Sequence, residues 1–278
     1  MDYKKLLKND RPKSKGVSVT LTTVILTSIL LTTLGIALFI STTVIEYHTQ
    51  STEYENAQNL MTYLADAVEQ VSLGSGGARY VRFSLRTTRL DFARDYYGEL
   101  EIKLNGNTII RDNPDALIIR GGNLLTAPPF QVLYPEGITD PASELNKYIV
   151  EVGEPVTLVY QTYEQGPATI LLCKRVRVGY LGVYNVLENN ELKQYNAFEI
   201  VYINITIGRT GGVETIPVIA RNRNVTLTTY YISDNSFTLS VYLNGQLVDQ
   251  KTFSGISSAE GSMIIVRVAH TELSTLGG

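Results

Sequence analysis

The hydrophobic pattern changes character twice along the chain. From Val17 to Ile45 no residue is charged, a run of 29 positions rich in Leu, Ile, Val and Thr. At about 1.5 Å per residue a helix of that length reaches roughly 43 Å, more than the ~30 Å hydrocarbon core of a bilayer. Charges return at Glu46, and from there Tyr54, Ala57, Met61, Leu64, Val68 and Val71 recur at spacings of 3, 4, 3, 4 and 3. That spacing puts them on one helical face, with Leu60 beside the stripe. Gly74-Ser75-Gly76-Gly77 supplies a stop. The pattern predicts one helix over 17–73, membrane-spanning in its first half and an amphipathic stalk in its second. A free coiled coil is the weaker reading of the stalk, because its seam covers under three heptads. Docking on the chain's own C-terminal region is the stronger one.

Beyond residue 78 the period shortens. Strand-like runs are expected at Tyr80–Leu85, Leu100–Leu104, Val156–Tyr163, Thr169–Val178, Phe198–Ile207, Val225–Ile232, Phe237–Leu243 and Met263–Ala269. Short strands without a long amphipathic helix indicate an antiparallel β-sandwich-like head over 78–278. The expected fold class is therefore α+β: a long N-terminal transmembrane and stalk helix, then a large β-rich head. Leu100-Glu101-Ile102-Lys103-Leu104-Asn105-Gly106 is echoed by Leu239-Ser240-Val241-Tyr242-Leu243-Asn244-Gly245. Asn-Gly between alternating runs marks a hairpin, because both central turn residues need positive φ. The echo reads either as two unrelated hairpins or as a duplicated β unit with a break near Gln165-Gly166-Pro167. The segment 121–144, with Pro128, Pro129, Pro135 and Pro141, is expected to be a surface loop.

Charge orients the apolar run. Residues 1–16 hold Lys4, Lys5, Lys8, Arg11, Lys13 and Lys15 against Asp2 and Asp10. A basic flank stays cytoplasmic, which sends the head outside. A cleavable secretory signal would have about 7–15 apolar residues and a small-x-small site, and Ser41-Thr42-Thr43-Val44-Ile45-Glu46 matches poorly. Two other readings stay open: a retained single-span anchor, or a cut at the basic edge that leaves the helix on the mature chain. The run carries 11 Ser or Thr residues spread round the helix. Small hydroxylated residues suit close helix–helix contact on all sides, and they also fill a plain span.

The basic leader ending Lys15-Gly16, followed by Val17-Ser18-Val19-Thr20-Leu21-Thr22-Thr23-Val24-Ile25-Leu26, resembles the archaeal type IV pilin-like proteins with class III signal peptides. The resemblance covers about the first 45 residues. It implies that a prepilin peptidase cuts between Gly16 and Val17, with Lys15, Gly16 and Val17 as the recognition site. It further implies homo-oligomerisation, or assembly with other pilins, through the N-terminal helix. An assembly ATPase and a membrane platform protein would be partners, and a cell-surface filament the product. Bacterial relatives carry Glu at the fifth mature position, where this chain has Leu21, which favours the archaeal branch. Adhesion through the head is a reasonable role for such a subunit.

Candidate chemistry adds little. Without the leader, Lys plus Arg falls from 24 to 18 and Asp plus Glu from 27 to 25, a net charge of −7. A globally acidic chain argues against nucleic-acid binding. Lys174, Arg175 and Arg177, with Arg221 and Arg223, read as solvated strand edges. Cys173 is the single cysteine and reads as a buried small hydrophobe. His48 and His270 are the two histidines, too few for a His-rich metal site, and no hydrolase or phosphate-loop motif occurs. No catalytic residue, cofactor or metal is expected. Asp112-Asn113-Pro114-Asp115 is expected to be a turn in preference to a calcium loop. Asn204-Ile205-Thr206 and Asn224-Val225-Thr226 are N-glycosylation sequons, with Asn204 and Asn224 as acceptors.

Overall fold

The computed structural model describes residues 19–74, 76–126, 129–164, 166–188, 190–212 and 214–275. Helix α1 runs without a break over Val19–Ser72. The first six strands are β1 (Ala78–Ser84), β2 (Arg89–Ala93), β3 (Leu100–Leu104), β4 (Asn107–Asp112), β5 (Ala116–Arg120) and β6 (Gln131–Tyr134). After the short helix α2 (Pro141–Leu145) come β7 (Ile149–Glu151), β8 (Thr157–Tyr163), β9 (Pro167–Cys173), β10 (Val176–Glu188) and β11 (Glu191–Ile207). The last four are β12 (Thr215–Ile232), β13 (Ser236–Leu243), β14 (Gln246–Ser254) and β15 (Gly261–Ser274). The protein is α+β, one long apolar helix followed by a mostly antiparallel β head. The chain divides into two units after His48.

Within the second unit the strands form three sheets. Their orders are β1-β12-β15-β11-β10-β7, β14-β13-β3-β4 and β2-β5-β9-β8-β6. Only the β11–β15 and β7–β10 pairs are parallel among the described residues. Tyr54, Ala57, Met61, Leu64, Val68 and Val71 of α1 lie in one core with Leu117, Ile119 and Leu171 of the five-stranded sheet and Ile203, Ile205, Val218 and Ala220 of the six-stranded sheet. The stalk half of α1 is thus a central element of the head. A second core joins the four-stranded sheet, through Leu100, Ile102, Leu239 and Val241, to Val176, Phe198, Ile200 and Tyr202. β11 serves both: residues 198–202 bury alternate side chains in the second core and residues 203–205 in the first.

The five-stranded sheet has two buried faces. Leu117 and Ile119 meet α1, while Ala116 and Ile118 join Leu158, Ile170 and Leu172 in a third core. A strand covered on both sides reads as a continuous apolar run, without the alternation that marks a half-exposed strand.

The segment 121–144 is not simply a loop. It holds β6, which pairs with β8, and the start of α2, whose Pro141 occupies the first turn behind Asp140. The Asp140 side chain accepts from the Ser143 amide at 3.1 Å, an N-cap that ordinary helix rules explain. The expected strand Thr169–Val178 is in fact two. The chain leaves the five-stranded sheet at Cys173 and enters the six-stranded sheet at Val176, with Lys174 and Arg175 at the crossing.

The two echoing hairpins lie side by side in the four-stranded sheet. β3 pairs with β13 so that Leu104 faces Leu239 and Leu100 faces Leu243. Asn105 and Asn244 both take positive φ, at 47° and 50°. The Asn105 side chain accepts from the Thr238 amide at 2.8 Å, and the Asn244 side chain from the Glu99 amide at 3.0 Å. Each hairpin also bulges at the same step, after Ile102 and after Val241. The pair is therefore related by a local two-fold, and it draws on residues from both sides of position 165. β8 and β9 meet across that position as an ordinary antiparallel hairpin.

Candidate assembly helix and its anchorage in the head

Every side chain from Leu21 to His48 is exposed, Leu31 at 69% and Phe39 at 72% among them. By length and composition this is a helix that can cross a membrane. Several of its threonine hydroxyls are satisfied locally. Thr27, Thr32, Thr33, Thr42 and Thr43 donate to carbonyls four residues earlier, at 2.8 to 3.1 Å. Back-bonding hides the hydroxyl against the helix and presents the methyl outward. The donors therefore require no neighbouring helix, while the small side chains still permit one to approach.

Between Thr49 and Ser72 the same helix is locked to the head by buried and half-buried polar groups. The Glu53 carboxylate collects the amides of Arg86, Thr87 and Thr88 at 2.6 to 3.1 Å, and the Thr87 and Thr88 hydroxyls as well. Burial pushes that carboxyl up, but the Thr88, Thr87 and Arg86 donors outweigh it and hold its pKa down at about 2. Tyr54 OH shares a 3.0 Å hydrogen bond with Thr169, and Gln58 donates to Gln161 at 2.7 Å. Further along, Glu69 accepts from the Val156 and Thr157 amides at 2.5 and 2.7 Å, with Arg177 at 3.5 Å from its other oxygen. Asn222 of β12 donates to the Val71 carbonyl at 2.9 Å, satisfying one of the acceptors that a helix end leaves open. The Asn222 backbone also exchanges hydrogen bonds with Gly76 and Gly77, and Gly76 sits at φ 79°. The glycines thus serve as a C-terminal stop, clamped by a strand.

The remaining sequence candidates fall in varied places. Lys15, Gly16 and Val17 lie outside the described residues. Cys173 is buried, and burial pushes its thiol well up. Asp112 accepts from Tyr202 OH at 2.6 Å and Asn204 Nδ2 at 2.9 Å, and Asp115 accepts from the Asp95 and Ile207 amides at 2.9 Å. Both acids are used in tying turns together, and no cluster that could hold a metal occurs among the described residues. The sequons differ. Asn204 has its amide nitrogen engaged by Asp112, whereas Asn224 is exposed at a bulge of β12, its oxygen accepting from Val225. His270 contacts Thr226 across the β12–β15 pair at 3.3 Å.

Lys174 and Arg175 are not solvated edges. Both are buried at the crossing between sheets. The Lys174 ammonium bonds to the Leu145 carbonyl and to Tyr97 OH, and lies over the Tyr97 and Tyr148 rings at 4.6 and 4.2 Å. Burial, with a smaller push from Arg175, lowers its pKa to about 7. Arg175 pairs with Glu144 at 2.9 Å and bonds to the Glu144 carbonyl at 2.6 Å. Together they pin α2 to the switch between β9 and β10. None of these anchors is visible in sequence, because each partner lies tens of residues away along the chain.

No protein-family model, curated protein or solved structure matches this chain. What the fold defines on its own is the class: an α+β protein with one exposed apolar helix near the N-terminus, long enough to span a bilayer and continuous with the core of a β head.

Proposed function

We propose that the protein is a structural subunit, a pilin or minor pilin, of an archaeal type IV pilus-like filament at the cell surface. The observation that carries this reading is the division of α1. Its first half is apolar and exposed, and its second half is part of the head's core. Such a helix can exchange lipid for neighbouring copies at small net cost, because both surroundings are apolar and close packing tips the balance. The basic leader would be removed by a prepilin peptidase between Gly16 and Val17. An assembly ATPase and platform protein would then act on the chain as their substrate, with the head left outside to touch surfaces. A single-span surface protein that never polymerises is the second reading, favoured by the locally satisfied threonine hydroxyls. Gly16→Asp separates them. In a pilin it blocks leader removal and abolishes recovery of the protein in sheared surface appendages. In a plain anchor the leader is retained with or without the substitution, and surface display is unchanged.

A further inference from the structure

An edge strand offers a row of open N–H and C=O groups to any other chain, and proteins blunt such edges with charge or by keeping them short. The outermost strands of this head follow that rule. β1, β2, β4, β7 and β14 each carry at least one charged side chain, and β6 is four residues long. The second half of β12 departs from it. β1 accompanies β12 only over residues 215–221, and Asn222 exchanges hydrogen bonds with Gly76 and Gly77. From Asn224 to Ile232 the only described strand beside β12 is β15, on the inner side. Those nine residues hold no charge, proline or glycine, and their register with β15 is unbroken. Thr, Val, Leu, Ile and Tyr dominate them, residues that suit an extended chain. Leu227 and Tyr231 are 59% and 57% exposed, and Thr226, Thr228 and Thr229 are exposed as well. Past the bulge between Asn222 and Asn224, the alternation of the ladder turns the N–H and C=O groups of Leu227, Thr229 and Tyr231 outward. The Val225 amide at the start of this row is taken by the Asn224 side chain at 2.9 Å.

We infer that this edge pairs antiparallel with the same edge of a second copy, about a two-fold axis at Thr228. Across that axis Thr228 meets its own counterpart, Leu227 pairs with Thr229, Thr226 with Tyr230 and Val225 with Tyr231. Aromatic against β-branched is a favoured cross-strand pair, and like charges, which would set an edge against its own copy, do not meet. Arg223, just before the stretch, is paired with Glu272 at 2.7 Å. β1 fixes the register. The open stretch and the strand that fills it are the same nine residues, so the incoming strand ends where β1 begins. A register centred earlier drives the incoming strand into Gly76, Gly77 and β1, and one centred later leaves pairs unmade. The contact binds through backbone hydrogen bonds, so its threonines do not weaken it. An isologous contact closes at two chains and does not propagate. It therefore goes beyond filament formation: it couples two heads, however the chains are anchored.

The test uses the full chain, extracted in detergent, with single cysteines placed along the edge; the native Cys173 is buried. Thr228→Cys lies on the two-fold axis, where opposed Cβ atoms come within disulfide reach. After mild oxidation it is expected to give a linked dimer at least about tenfold above Tyr80→Cys, an exposed site on the β1 edge. Thr226→Cys and Tyr230→Cys provide a second pair, expected to link as a mixture about tenfold more than either variant alone, since only the mixture opposes two thiols. Adding Thr228→Lys to both copies of that mixture is expected to cut its yield roughly fivefold, because two ammonium groups then meet on the axis. Thr228→Cys that links no better than Tyr80→Cys, or a mixture that links no better than its components, overturns the inference. Those are also the results if another protein's strand fills the edge. A chain that keeps its leader yet links through β12 contradicts only the pilin reading. A chain cut at Gly16 that does not link contradicts only the pairing.

Discussion

Residues 21–48 and 49–72 belong to one continuous helix, yet their side chains live in opposite environments. In the first stretch every side chain is exposed, and the Thr hydroxyls turn back on their own backbone. In the second, six stripe residues are nearly sealed, and Glu53, Tyr54, Gln58 and Glu69 each hold a distant strand or turn. Helical hydrogen bonding is common to both, so it explains neither difference. Tertiary partners do. Where the head supplies them, the sequence shows a narrow apolar stripe with polar anchors beside it. Between Leu21 and His48, where every side chain is exposed, the sequence is apolar all round, a composition suited to an apolar medium.

The largest contrast expected is for a buried charge. Leu64→Asp puts a carboxylate where no water reaches and should destabilise the head by more than about 4 kcal/mol, read as loss of cooperative melting. Leu31→Asp in detergent should leave head melting within about 0.5 kcal/mol of the native protein while impairing membrane retention. Equal effects on melting would undo the division into two halves.

Much of that division is legible beforehand, because a 3.6-residue period shows in any amphipathic helix and an uncharged run of 29 residues shows in any composition plot. The half-exposed strands β3 and β13 are legible for a similar reason. β5 is not, since Ala116-Leu117-Ile118-Ile119 is covered on both faces and loses its alternation. β6 hides among prolines that elsewhere mean loop. Lys174 and Arg175 read as surface because charge is normally solvated. Their burial depends on Tyr97, Tyr148 and Glu144, which only the fold brings near. The glycine stop at residues 74–77 is legible, but its clamp, Asn222, is not.

A smaller and pH-dependent effect concerns the anchors of the second half. Glu53→Gln should cost about 1–3 kcal/mol at neutral pH, by loss of a charge-assisted hub. The folded carboxyl has its pKa held at about 2 against an ordinary 4.5, so its contribution is complete above 4.5. That contribution fades as pH falls from 4.5 through 2, because the unfolded chain there binds the extra proton. Melting curves at pH 7 and pH 2.5 should therefore differ more for the native protein than for the variant. A variant with the same acid sensitivity as the native head would show that Glu53 is not the hub.

A second pH-dependent effect concerns the buried lysine. Its folded pKa of about 7 lies below the ordinary 10.5, so the unfolded chain binds more protons between those values. Native stability from this group must rise with pH across that window. Lys174→Met should remove the rise, so that the melting difference between native protein and variant shifts in favour of the native protein from pH 7 to pH 10. A difference that stays flat would place the ammonium in contact with water.

The filament reading stands or falls on whether the exposed half of α1 remains on the mature chain without its basic leader. Peptide mass mapping of the native protein recovered from sheared surface appendages tests this most directly. The predicted result is a mature chain that begins at Val17 and retains the apolar run to Ile45. A chain that still carries Lys4 and Lys5, or one that begins beyond Ile45, would contradict it.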